Sequence, residues 1–211
     1  MKKDTKLTSA IIGNFIENKL KRKLKRDQQE LKILSEGDLQ SCVYYNLRKY
    51  CIKDTSNWFI LNKLFIKSEK VYPDIAIGYL NDDGGQVYPK ILIEIKETVK
   101  PLSDSSFRGF KKDYKKLNML MTKENGIKKA YFILGILPNP SRNEPTSKDS
   151  PFFDSDEVKK RIKQMVDENK FSKKIKLIII NSQTNKTPYQ DYTKFKKKHR
   201  LLRKYTGKES D

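Results

Sequence analysis

Two alternating segments joined by Asp-Gly-Gly constrain this chain more than any other feature. Asp74–Leu80 (DIAIGYL) and Val87–Lys96 (VYPKILIEIK) each read as a strand, and DDGG between them is a hairpin signal. Successive side chains of a strand point to opposite faces. Ile91, Ile93 and Ile95 therefore share one face, and Leu92, Glu94 and Lys96 share the other. On the partner strand Ile75, Ile77 and Tyr79 form the apolar set, with Asp74 on the opposite face. One face is expected to be core, and the other ends in an acid and an amine. Pro89 cannot donate to a ladder, so full pairing is expected only beyond it.

Register then decides chemistry. A loop of Asp83, Gly84 and Gly85 sets Asp82 opposite Gln86 and, carried along the hairpin, Asp74 opposite Glu94. A slip of one residue would send Asp74 to the wrong face. Directly opposed side chains have Cβ atoms roughly 5 Å apart. Two carboxylates that close repel unless a proton or cation lies between them, and Mg²⁺ favours carboxylate oxygens. A divalent metal between Asp74 and Glu94 is the economical expectation, with Lys96 directed into the same site. Such a set suits phosphodiester hydrolysis: the metal activates a water for in-line attack, and Lys96 orients that water or offsets charge on phosphorus. The plainer alternative makes Glu94 and Lys96 an exposed ion pair on a half-solvated strand.

Other chemistries lack their parts. The single histidine, His199, lies in a basic tail, and two cysteines, Cys42 and Cys51, form no CxxC pair. Zinc chemistry and a Ser-His-Asp triad therefore lack ligands or base. Both cysteines read as small buried hydrophobes in or just after one helix.

Charge points to the partner. Forty-six Lys and Arg against twenty-six Asp and Glu leave +20, and a polyanion is the natural complement of such a surface. Nucleic acid is the first candidate and an anionic membrane surface the second. No apolar run reaches the roughly 18 residues of a bilayer span, and MKKDTKLTSAIIGNF has no long apolar stretch. A cytoplasmic protein without membrane association is expected.

The remaining elements follow from periodicity. Lys6–Leu34 reads as a helix with Ile11, Ile12, Phe15, Ile16 and Leu20 on its stripe, running into the basic KLKRKLKRD. Ser35 caps a second helix. Trp58–Ile66 is a strand, Phe107–Met121 a helix, Ala130–Leu137 a strand, Asp154 or Ser155 to Asn169 a helix and Ile175–Ile180 a last strand. The order α, α, β, β, β, α, β, α, β, α predicts an α/β fold with a mixed central sheet flanked by helices. One domain is expected: a basic helical extension over 1–34, a core over 35–183 and a basic tail over 184–211.

Pro73-Asp74, nineteen intervening residues and then Glu94-Ile95-Lys96 resemble the motif of the PD-(D/E)xK nucleases, which include restriction endonucleases and Holliday-junction resolvases. The resemblance covers roughly residues 35–135 and implies a restriction-endonuclease-like αβββαβ core. It implies that Asp74, Glu94 and the Ile95 carbonyl bind Mg²⁺, for which Mn²⁺ could substitute, and that Lys96 assists the nucleophile. It further implies an acid from the preceding helix, for which Glu36 is preferred to Asp38. Glu97, Thr98 and Val99 follow where some branches carry a glutamine.

Phosphate contacts are expected from Arg108, Lys112, Lys115 and Lys116 on the following helix, with Asp113 serving a neighbouring lysine. Lys196, Lys197, Arg200 and Arg203 in the acid-free stretch Lys194–Lys208 are expected to add salt-sensitive contacts. The expectation is a Mg²⁺-dependent DNA endonuclease, in restriction, phage defence, recombination or repair, with a homodimer or accessory protein supplying base readout. A ribonuclease, or a non-catalytic nucleic-acid binder on the same fold, is the alternative.

Overall fold

A computed structural model describes residues 7–30, 32–33, 35–51, 58–64, 72–80, 87–98, 104–123, 126–136 and 155–181. Among the described residues five strands form one sheet in sequence order: β1 (Trp58–Asn62), β2 (Ile75–Leu80), β3 (Val87–Thr98), β4 (Lys129–Ile136) and β5 (Ile175–Asn181). The first three run antiparallel as a meander, and β3, β4 and β5 run parallel. Parallel neighbours need crossovers, supplied here by α4 (Asp104–Lys123) and α5 (Ser155–Glu168). The chain is thus α/β with a mixed sheet flanked by helices.

Both faces of the sheet are covered, which corrects the expectation of one core face. Ile75, Ile77, Ile91, Ile93 and Ile95 pack under the N-terminal helices. Leu92 and Ala76, on the other face, are buried with Phe110, Tyr114, Leu117 and Leu120 of α4. Near-continuous apolar strands such as β4, buried throughout Ala130–Ile136, are what a doubly covered sheet requires.

The N-terminal residues lie on that first face rather than apart from it. Ile12, Ile16, Leu20 and Leu24, spaced by four, are all almost fully buried. A strict four-residue spacing drifts roughly 40° per step around an α-helix of 3.6 residues per turn. The wider π-helical stretch Phe15–Leu20, between α1 (Ser9–Asn14) and α2 (Lys21–Gln29), brings the residues back to one face. The helical run ends at Gln29, short of the expected Leu34. Lys19, Arg22, Lys25 and Arg26 of the basic stretch remain exposed. Helix α3 (Glu36–Cys51) begins after Ser35, whose Oγ accepts from the Asp38 amide at 3.1 Å. Cys42, half-buried, and Cys51, buried, both lie within it and are not joined in a disulfide.

The hairpin carries a bulge. Ile75 faces Ile93, Ala76 faces Leu92 and Ile77 faces Ile91, but Gly78 faces Pro89 and Tyr79 faces Tyr88. Lys90 is the extra residue, and its carbonyl accepts from the Lys128 amide at 2.8 Å. Pairing therefore continues on both sides of Pro89, which occupies one of the few places a sheet tolerates proline. Gly78 is obligatory there, because a Cβ would fall 2.2 Å from the Tyr88 carbonyl oxygen.

Candidate active site

Continued by one residue, the Ile75–Ile93 register sets Asp74 opposite Glu94, as the sequence predicts. Asp74 lies just before β2, and its Oδ2 accepts the Ile95 amide at 2.8 Å. The carboxylate thus caps a strand amide that β2 is too short to reach. In a strand, N–H and C=O of one residue point to the same side, so the Ile95 carbonyl faces this edge as well.

Glu94 is only 2% exposed. It lies on the same face as Leu92, under α4, where Lys116 Nζ donates to its Oε1 at 2.5 Å. Its Oε2 is buried and finds no hydrogen-bond partner among the described residues. Burial pushes the carboxyl up to about 7; Asp74 and Asp113 push the same way, and Lys116 only partly offsets them. Buried polar atoms are almost always satisfied, so an orphaned carboxylate oxygen beside a second acid marks a place poised for a cation or proton.

Lys96 Nζ lies 3.6 Å from Asp113 Oδ2 and 3.8 Å from Glu36 Oε1. Burial alone would lower its pKa, but Asp113, Glu36, Glu94 and Asp74 outweigh burial and hold it above the usual value. The ammonium therefore stays charged across the neutral range. Glu36, from the first turn of α3, also accepts the Glu97 amide on Oε2 at 3.2 Å. Asp38 instead accepts from the Ser35 hydroxyl at 3.0 Å.

The four residues singled out by sequence are therefore gathered around one end of β3. Asp74 and Glu94 face each other, while Lys96 and Glu36 meet beside them. Among the described residues, however, no three Asp, Glu, His or Cys side chains converge closely enough to enclose a metal ion.

Helix α4 divides its basic residues. Arg108, Lys112 and Lys115 are exposed. Lys116 is turned inward onto Glu94, contrary to its expected place with them, and also donates to the Tyr72 carbonyl at 3.2 Å. Asp113 serves neighbouring lysines as expected, meeting Lys96 and, at 4.0 Å, Lys116. A signal for this was present. Asp113 and Lys116 are three apart and border the buried stripe Phe110, Tyr114 and Leu117, whereas Lys112 and Lys115 lie away from it. The tail residues Lys196, Lys197, Arg200 and Arg203 lie outside the described residues.

Among the described residues no helix is long and apolar enough to cross a membrane. No family model, no curated protein and no solved structure matches the chain.

Proposed function

We propose that this chain is a divalent-metal-dependent nuclease with a restriction-endonuclease-like core, cleaving DNA by in-line attack of an activated water. The observation that carries the reading is Glu94: a buried acid with one unpartnered oxygen, opposed to Asp74 and followed two residues on by Lys96. The order α3-β1-β2-β3-α4-β4 is the αβββαβ order that the motif implies. The donors at the edge suit a hard cation, with carboxylates at Asp74 and Glu94 and the Ile95 carbonyl, while Glu36 stands outside them on Lys96 and the Glu97 amide.

When bound, such a cation would lower the pKa of a water and polarise a phosphoryl oxygen. The chain's own groups do the rest. The Ile95 amide fixes the Asp74 carboxylate, so its second oxygen is oriented before any ligand arrives. Burial holds Glu94 rigid at the same edge. Lys96, kept protonated by the acids around it, donates hydrogen bonds to the attacking oxygen or to a non-bridging phosphoryl oxygen. Arg108, Lys112 and Lys115 present exposed charge along α4 for the flanking phosphates.

The test compares wild type with Glu94→Ala for cleavage of supercoiled plasmid with Mg²⁺, at matched DNA binding. Nicking by wild type alone supports the reading. If neither protein cuts plasmid, single strands, branched junctions or RNA, while both bind equally, the chain is a nucleic-acid-binding protein on this fold. Cleavage confined to RNA would make it a ribonuclease.

A further inference from the structure

Lys116 behaves unlike the other lysines of its helix. Its side chain is 20% exposed, and its ammonium reaches the buried Glu94 carboxylate and the backbone carbonyl of Tyr72, two residues before Asp74. An ammonium and a divalent cation satisfy the same need of a buried acid, and two cations crowded onto one carboxylate in a poorly screened setting repel each other. A second acid lies within reach of the lysine: Asp113 Oδ1 is already 4.0 Å from its Nζ.

We infer that Lys116 is a displaceable counter-ion of the Asp74–Glu94 pair, holding Glu94 until a divalent cation enters and then withdrawing onto Asp113. The inference rests on the reading of Asp74 and Glu94 as cation ligands. Its physical content is an exchange of one cation for another. Without metal, the ammonium keeps two opposed carboxylates from driving each other apart, so the site is preassembled. That preassembly lowers affinity for the metal, because the ion must first break a buried ion pair. Asp113 is the resting place that keeps the exchange short: it already holds Lys96 through its other oxygen, so the withdrawn lysine and Lys96 lie side by side there. Lys116 is in this sense a positioning residue that sets how readily the site loads.

The measurement is Mn²⁺ binding to the whole chain by calorimetry, paired with the rise in melting temperature on adding Mn²⁺. Lys116→Met is expected to bind Mn²⁺ about tenfold more tightly than wild type, on the scale of removing a like charge from a partly screened site. Lys116→Arg, which keeps the charge, is expected to bind like wild type. Asp113→Asn is expected to weaken binding in the wild-type background and to lose most of that effect when combined with Lys116→Met, because only then is there no lysine to receive. A lysine that merely braces α4 would give the opposite sign, since loosening the site cannot tighten its ligand. Should Lys116→Met not fold by circular dichroism, Lys116→Gln gives the same readout.

The inference is overturned if wild type binds Mn²⁺, Glu94→Gln abolishes that binding and the neutral Lys116 variants bind no better than wild type. In that outcome the metal site stands without a lysine exchange. If neither wild type nor the Lys116 variants bind Mn²⁺, the metal reading falls and the exchange falls with it.

Discussion

Glu94→Gln should change how stability depends on pH, and the sign follows from which protonation state the fold prefers. Glu94 is raised from 4.5 to about 7, chiefly by burial and secondarily by Asp74. A raised carboxyl pKa means that the folded chain holds the proton more tightly than the unfolded chain. The contribution to stability is therefore fully present below about 4.5, is lost as pH rises through about 7 and is absent above it. A shift of that size corresponds to about 3 kcal/mol. Glutamine has nearly the same shape and no proton to lose. Relative to wild type, the variant should gain about 3 kcal/mol as pH rises across that interval.

Two complications leave the slope intact. The variant leaves Lys116 beside a neutral amide, but the Lys116 contact is already among the influences that set the Glu94 pKa, so its loss adds no separate pH dependence. Glu97 is also raised, by burial and by Glu36, yet it titrates in both proteins and cancels in the difference. The assay is urea unfolding of both proteins in chelator, from about pH 4 to about pH 9, with the difference in unfolding free energy plotted against pH. A flat or falling difference would refute the reasoning, because it would mean that Glu94 is not desolvated against Asp74. Saturating Mg²⁺ should flatten the rise above neutrality, since a cation that binds the ionised carboxylate stabilises the native state of wild type alone.

Lys96→Met should lower the rate of plasmid cleavage by about 10²-fold or more while leaving DNA affinity near wild type, read by single-turnover cleavage. Replacing Arg108, Lys112 and Lys115 by alanine together should reduce the slope of log affinity for DNA against log salt by about 3, measured by fluorescence anisotropy; an unchanged slope would place the phosphates elsewhere. Gly78→Ala should destabilise by about 3 kcal/mol in urea unfolding, because its Cβ would meet backbone rather than a side chain that can move. Tyr131→Phe removes the 2.8 Å bond from its hydroxyl to Glu17 and should cost about 1 kcal/mol, with cleavage unaffected, as Lys176 still holds Glu17 at 2.7 Å.

What the sequence made legible, and what it hid, both turn on the hairpin. The Asp74–Glu94 opposition was readable because alternation fixes faces, and the isoleucines of β2 and β3 must share one. Yet the route that reached it, counting back from the turn, runs one residue out over Gly78–Leu80. Pairs near the turn follow a different register from pairs near the site, and the bulge at Lys90 reconciles the two. The turn and the hydrophobic pattern each demand their own register, and an extra residue beside Pro89 meets both. Nothing in the alternation discloses that α4 covers the face of Glu94, because Leu92 is the only apolar residue beside it in the strand; burial of that face comes from a helix ten or more residues away. The same tertiary fact converts Lys116 from an expected phosphate contact into the partner of a buried acid, while Lys112 and Lys115, just around the helix, remain in solvent. A motif on a strand can thus be found from the strand alone, but the electrostatic state of its acid is decided by whichever helix closes over it. The reactivity of Glu94 is accordingly a property of β3 and α4 together, and mutations on α4 that touch neither Asp74 nor Lys96 should still move it.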